Sequence, residues 1–97
     1  MPIFKQYVKI NNMRKIVFCS HAEEKFLILK KHRFQVTKKQ VIDVLRKPDK
    51  IEAGYGGRHI AQKKISEGHV LRVVFEKAGK LETVVTFYPG RREYYES

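Results

Sequence analysis

The stretch over residues 69–95, HVLRVVFEKAGKLETVVTFYPGRREYY, restricts the fold more than any other part of the chain. It reads as two strands joined by a short turn and followed by an aromatic, basic tail, because both runs are apolar and rich in β-branched residues. Arg72 interrupts the first run, between Val70-Leu71 and Val73-Val74-Phe75. A charged side chain in mid-strand must be paired or must face away from the core. A loop over residues 78–80 sets Leu71, Val73 and Phe75 across from Phe87, Val85 and Thr83. The other face then carries Val70, Arg72 and Val74 beside Tyr88, Thr86 and Val84. This register separates an oily face from one bearing an arginine, a threonine hydroxyl and a phenol. A shift of one residue mixes the two sets.

The preceding chain alternates short strands with two helices. Residues 3–10 alternate loosely, so residues 1–14 read as an arm or an edge strand. Residues 16–19 form an apolar run suited to a strand. Ser20-His21-Ala22-Glu23 matches a capping box with Ser20 as N-cap, and the helix that follows to about His32 turns Ala22, Phe26 and Leu29 to one side. Residues 34–36 read as a connection. Thr37-Lys38-Lys39-Gln40 is a second capping box, with Val36 and Val41 placed as a hydrophobic staple. Val41, Val44 and Leu45 form that helix's inward stripe, and Pro48 limits its extent. Residues 50–53 suit a brief strand, Gly54-Tyr55-Gly56-Gly57 a turn, and residues 58–65 a further strand. The glycine turn lacks the spacing and the Lys-Ser/Thr of a phosphate-binding loop. The expected layout is a single α+β domain over residues 1–97. Two N-terminal helices pack on an antiparallel sheet of three to four or more strands.

Charge narrows the partner class. The 97 residues carry a formal net charge of +11, with most of the excess in the first half. Such a field attracts polyanions, so RNA or DNA is the leading partner class, ahead of an acidic protein or an anionic membrane surface. No apolar run approaches the roughly 18 residues of a membrane-spanning helix, and no membrane association is expected. The opening MPIFKQYVKINNMRK lacks the apolar block of a secretion signal, which makes the cytoplasm the expected location. Cys19 is the single cysteine, so it signals neither a disulfide nor a thiolate metal site and suits a buried thiol. His32, His59 and His69 show no ligand spacing, and neither a metal nor another cofactor is expected. Nothing in the pattern specifies an oligomeric state.

Several residues are candidates for chemistry. His21 falls at the first position of the first helix, next to the cap, where an imidazole can serve as a general base or remain an ordinary polar residue. Lys25 lies one turn later on the same face and can meet a phosphate or simply water. Arg72 suits either a phosphate contact or a structural pair with Glu76 or Glu82, and Thr86 and Tyr88 gain interest by standing beside it. In the tail, Arg91, Arg92 and Tyr94 suit RNA, because guanidinium groups meet phosphates and rings stack on unpaired bases. The same residues could instead close the sheet.

Several blocks resemble a widespread prokaryotic family of small proteins assigned to the broad fold of RelE-like and BrnT-like toxins. They are His21-Ala22-Glu23-Glu24-Lys25, Lys47-Pro48-Asp49-Lys50, Arg58-His59-Ile60-Ala61-Gln62-Lys63, Leu71-Arg72-Val73-Val74 and Val84-Val85-Thr86-Phe87-Tyr88-Pro89-Gly90-Arg91-Arg92. The likeness spans about residues 15–96. It implies a RelE-like fold and a toxin-type, metal-independent endoribonuclease. Such an enzyme would act on RNA, including RNA on the ribosome, and be held in check by an acidic antitoxin. A non-catalytic RNA-binding or ribosome-associated module is the alternative. His21, Arg72, Thr86 and Tyr88 match the family's recurrent polar positions. Metal-free RNA cleavage needs a base, an acid and cations for the phosphorane. His21 would be the base, Arg72 with Lys25 or Arg91 would hold phosphate, and Tyr88 would donate the proton.

Overall fold

A computed structural model of the chain describes residues 7–10, 14–32 and 35–96, the first group by backbone alone. Six strands form one sheet in the order β1-β2-β6-β5-β4-β3. They are β1 (Tyr7–Ile10), β2 (Arg14–Phe18), β3 (Lys50–Ala53), β4 (His59–Lys64), β5 (His69–Ala78) and β6 (Leu81–Arg91). Helices α1 (Ser20–Lys31) and α2 (Lys38–Arg46) separate β2 from β3, and a short helix α3 (Arg92–Tyr95) follows β6. The class is α+β, as the patterning indicates. Of the expected N-terminal arm or edge strand, residues 7–10 form an edge strand and Arg14 opens β2, while residues 1–6 and 11–13 lie outside the described residues, as does Phe34 of the expected connection.

The sheet is mixed rather than wholly antiparallel. β2 runs parallel to β6, and every other neighbouring pair is antiparallel. Parallel neighbours need a long connection, and here it contains both helices and strands β3 to β5. Two strands also precede the helices, so these are not the first elements of the chain.

One face of the sheet and the inward stripes of the helices make the core. Ile16, Phe18, Leu71, Val73, Phe75, Val84 and Phe87 are buried there with Ala22, Val41, Val44 and Leu45. Phe26 of α1 is half-buried, and its ring centroid lies 4.5 Å from that of Phe87. The expected stripes of both helices therefore face inward. Arg14 ties the layers together, donating to both carboxylate oxygens of Glu82 at 2.9 Å and to the carbonyl oxygen of Leu45 at 3.2 Å.

The β5–β6 hairpin departs from the expected register. Ala78 pairs with Leu81, so the turn is only Gly79-Lys80, with Gly79 at φ +61°. Phe75 pairs with Val84 but Val74 pairs with Thr86, which leaves Val85 as an extra residue in β6. The two-residue turn and this bulge together move the pairing, so Arg72 stands opposite Tyr88 and Val73 opposite Phe87. Arg72, Thr86 and Tyr88 share a face as expected. Val84, expected among them, is instead wholly buried in the core, and Thr83 and Val85 are half-buried rather than central to the oily face.

The two helix starts also differ. Thr37 caps α2 as expected, its hydroxyl accepting from the Gln40 amide at 3.1 Å while the Gln40 side chain accepts from the Thr37 amide at 2.9 Å. Val36 and Val41 of the staple are both buried. Ser20 does not cap α1. The N-cap is Cys19, without a side-chain cap bond, and Glu23 pairs with Lys38 at 2.9 Å. The reason is local: the Cys19 amide donates to the Val84 carbonyl at 3.1 Å and its thiol to the Val85 carbonyl at 3.3 Å. Those bonds end the sheet pairing at Cys19, and the helix begins immediately. Thr37→Ala is therefore expected to cost about 1 kcal/mol in urea unfolding, whereas Ser20→Ala stays within about 0.5 kcal/mol. Equal losses would restore Ser20 as a cap.

Candidate functional site

The sheet face opposite the core carries a polar row that starts from Arg72. Alternation along β5 puts Val70, Arg72 and Val74 on this face. Arg72 is only 6% exposed, and each guanidinium nitrogen has a partner. Its Nε donates to the Tyr88 hydroxyl at 3.0 Å, one terminal nitrogen to the Gln62 side-chain oxygen, and the other to Glu52 Oε1 at 3.1 Å. Gln62 comes from β4 directly opposite Arg72, and Glu52 from β3. Burial works against the charge on Arg72, but the hydrogen bonds to Tyr88 and Glu52 outweigh it, so its pKa stands above the ordinary value. Glu52 is held below the usual carboxylate range by hydrogen bonds from Lys50 and Arg72.

The C-terminal turn folds back over this arrangement. The Arg72 guanidinium lies 4.3 Å from the centroid of the Tyr95 ring. The Tyr95 carbonyl oxygen accepts from Lys50 Nζ at 2.9 Å and from Gln62 Nε2 at 3.2 Å. The same ring lies against Gly90, where an added Cβ would fall 2.3 Å from a ring carbon. Glycine at 90 makes room for the ring.

At the other end of the row stands Lys25. β2 pairs with β6 only as far as Val84, so the later half of β6 has no strand neighbour on that side among the described residues. Pro89, which has no amide to give a neighbour, is tolerated there. α1 passes this edge, and Lys25 Nζ donates to Thr86 Oγ1 at 3.1 Å while lying 5.9 Å from the Tyr88 ring centroid. Partial burial lowers the Lys25 pKa. The row thus runs Lys25, Thr86, Tyr88, Arg72, Glu52, Lys50 across four elements.

The expected site residues divide into three groups. Arg72, Thr86, Tyr88 and Lys25 are brought together. His21 is exposed one turn before Lys25 on α1, and no hydrogen bond or ion pair joins it to the row among the described residues. It is the second helical residue rather than the first, because the cap moved to Cys19. The tail residues go elsewhere. Arg92 donates to Glu96 at 2.7 Å and to the Glu67 carbonyl at 2.8 Å, Arg91 is exposed and stands 3.9 Å from Glu93, and Tyr94 is exposed.

Arg72's carboxylate partner is neither Glu76, which pairs with Arg58, nor Glu82, which pairs with Arg14. Glu52, Gln62, Lys50 and Tyr95 are the site residues that sequence reasoning missed. Gln62 was within reach, since pairing residues 58–65 with residues 69–78 as a hairpin places it near Arg72. Glu52 and Tyr95 depend on a third strand and a chain reversal that no local pattern announces. Among the described residues, no group of three or more His, Cys, Asp or Glu side chains is arranged to hold a metal ion. No family model matches the sequence, and no match was found among curated proteins or solved structures.

Removing the arginine would take the donor from the Gln62 side-chain oxygen and the Tyr88 hydroxyl and leave Glu52 with Lys50 alone among the described residues. Arg72→Ala is expected to lower stability by about 2 kcal/mol or more. Glu52 adds a pH signature. Its folded pKa lies below the unfolded one, so its contribution is complete above the ordinary carboxylate range and is lost as pH falls through the depressed value. Glu52→Gln should flatten this part of an acid-unfolding curve; an unchanged curve would show that the Arg72–Glu52 contact contributes nothing.

Proposed function

We propose that the chain is an RNA-binding domain of RelE-like or BrnT-like plan that uses the row from Lys25 to Lys50 to receive single-stranded RNA. The observation that carries this is the row itself: a phenol and an arginine on the sheet face opposite the core, with a cation at each end, Lys25 reaching the row from α1 past the edge of β6 and Lys50 from β3. The field of the whole chain, +11, adds the long-range attraction. Among the described residues Lys30, Lys31, Lys39 and Arg46 have no ion-pair partner and add to it. Backbone phosphates would meet Lys25 and Thr86, and a base would stack on the half-buried Tyr88 ring. Arg72, engaged at every nitrogen, would act mainly by holding Tyr88 in place. In this reading an acidic antitoxin would compete for the same charge.

Cleavage of the toxin type is the second reading, and one feature favours it. Lys25 sits beside Tyr88, and its partial burial lowers its pKa, which raises the share of its amine that is unprotonated and able to accept a proton. The Tyr88 hydroxyl accepts from Arg72, so its own proton is free to pass to a leaving oxygen. His21, one turn from Lys25, would serve as an alternative base.

Fluorescence anisotropy with labelled single-stranded RNA tests the first reading. Affinity should fall as salt rises, and Lys25→Ala should reduce the slope of log affinity against log salt by about 0.7, the value of one phosphate contact on a single strand. Absence of binding at low ionic strength would remove the proposal. Incubation of RNA with the protein in chelator, with and without ribosomes, tests the second. Cutting should fall by roughly 10²- to 10⁴-fold in Tyr88→Phe if its proton is transferred, and RNA left intact by wild type would end that reading.

A further inference from the structure

The way α3 closes over Arg72 has the form of a bound ligand. An aromatic ring lies 4.3 Å above a guanidinium, and an acceptor oxygen next to it receives one ammonium and one amide donor at 2.9 and 3.2 Å. We propose that α3 occupies a ribonucleotide site as a built-in mimic of its ligand. The Tyr95 ring takes the place of a base stacked on Arg72, and the Tyr95 carbonyl oxygen that of a ligand oxygen held by Lys50 and Gln62. This rests on the RNA-binding reading above and identifies where one nucleotide would sit.

Three features support it. The slot takes a flat group, since Gly90 leaves no Cβ against the Tyr95 ring and the Arg72 guanidinium carbon lies over that ring, 4.3 Å from its centroid. The Lys50 ammonium is held on a neutral carbonyl oxygen and on Glu52, and an anionic phosphate oxygen would accept from it more strongly. The cap itself is lightly held. α3 is four residues long with no buried residue, and its tie to the rest of the fold beyond Tyr95 is through Arg92, whose amide donates to Gly68 and whose guanidinium donates to Glu67. Short, exposed elements with no buried residue open at small free-energy cost. An open cleft lined by Asp49, Lys50, Gln62 and Glu96 adjoins the slot and gives a ligand a way in.

Binding of adenosine monophosphate and of a labelled single-stranded RNA is measured on the full chain, with inorganic phosphate as a control. The variants are Arg92→Ala, which loosens the cap from outside the slot, Tyr95→Ala, which removes the ring, and Tyr95→Phe, which keeps it. Circular dichroism and thermal melting confirm that each is folded. Arg92→Ala and Tyr95→Ala should bind adenosine monophosphate about tenfold more tightly than wild type, the scale of one base stack gained. Tyr95→Phe should match wild type, and phosphate should compete poorly. The sign matters, because an Arg92 that contacts phosphate directly would weaken binding when removed. If wild type binds RNA but neither loosening variant gains affinity for the nucleotide, the mimic is wrong and the RNA-binding reading stands. If phosphate competes as well as the nucleotide, the ring does not replace a base. If no form binds RNA at low salt, both proposals fail.

Discussion

A guanidinium withdrawn from water must find hydrogen-bond acceptors, and much of this protein's second sheet face follows from meeting that demand at Arg72. The desolvation cost of an unpaired buried charge is several kcal/mol, more than a small domain can absorb. Four elements supply what the arginine needs. β6 brings Tyr88, β4 brings Gln62, β3 brings Glu52, and α3 sets the Tyr95 ring against the guanidinium. The edge strand β3 has only four residues and pairs with β4 alone. The Glu52–Arg72 contact reaches past β4 to β5 and adds a side-chain tie to that backbone pairing.

The same demand explains why a polar face can coexist with a small core. Among the described residues, no buried side-chain nitrogen or oxygen lacks a hydrogen-bond partner. The apolar face is sealed by α1 and α2, whose stripes face inward. Among the described residues, the opposite face has only a four-residue helix for cover, so its residues had to be ones that tolerate water at the margins and satisfy each other at the centre. Lys25 and Lys50, both half-buried, mark those margins. A row with satisfied centre and cationic ends is rigid where it would position a ligand and charged where it would attract one.

How much of this was legible in the sequence depended on the range of the interaction. Period-2 alternation identified Arg72, Thr86 and Tyr88 as companions, because a strand's face is a local property. Heptad-like spacing identified Val41, Val44 and Leu45 for the same reason, and the Thr37 cap needs only three residues to be recognised. The parallel pairing of β2 with β6 could not be read, since its partners lie more than sixty positions apart. Ser20 looked like a cap because the local motif is genuine. It lost to long-range bonds from Cys19 to Val84 and Val85. Glu76 and Glu82 were plausible partners by proximity along the chain, but each was claimed by an arginine from another element.

The bulge at Val85 links the two halves of the structure. Without it, strict alternation from Val84 would put that residue on the face of Tyr88, and a valine would leave the core for the polar row. With it, β6 uses residues 81–84 to hold β2 and seal the core, then presents Thr86 and Tyr88 to the other side. The two carbonyls at the bulge, of Val84 and Val85, also receive Cys19. The start of α1 is therefore anchored to the backbone irregularity that reorients β6. From that fixed point, six residues of chain bring Lys25 to Thr86. The backbone thus fixes where the lysine stem starts relative to the sheet's phenol, and the hydrogen bond to Thr86 places its ammonium.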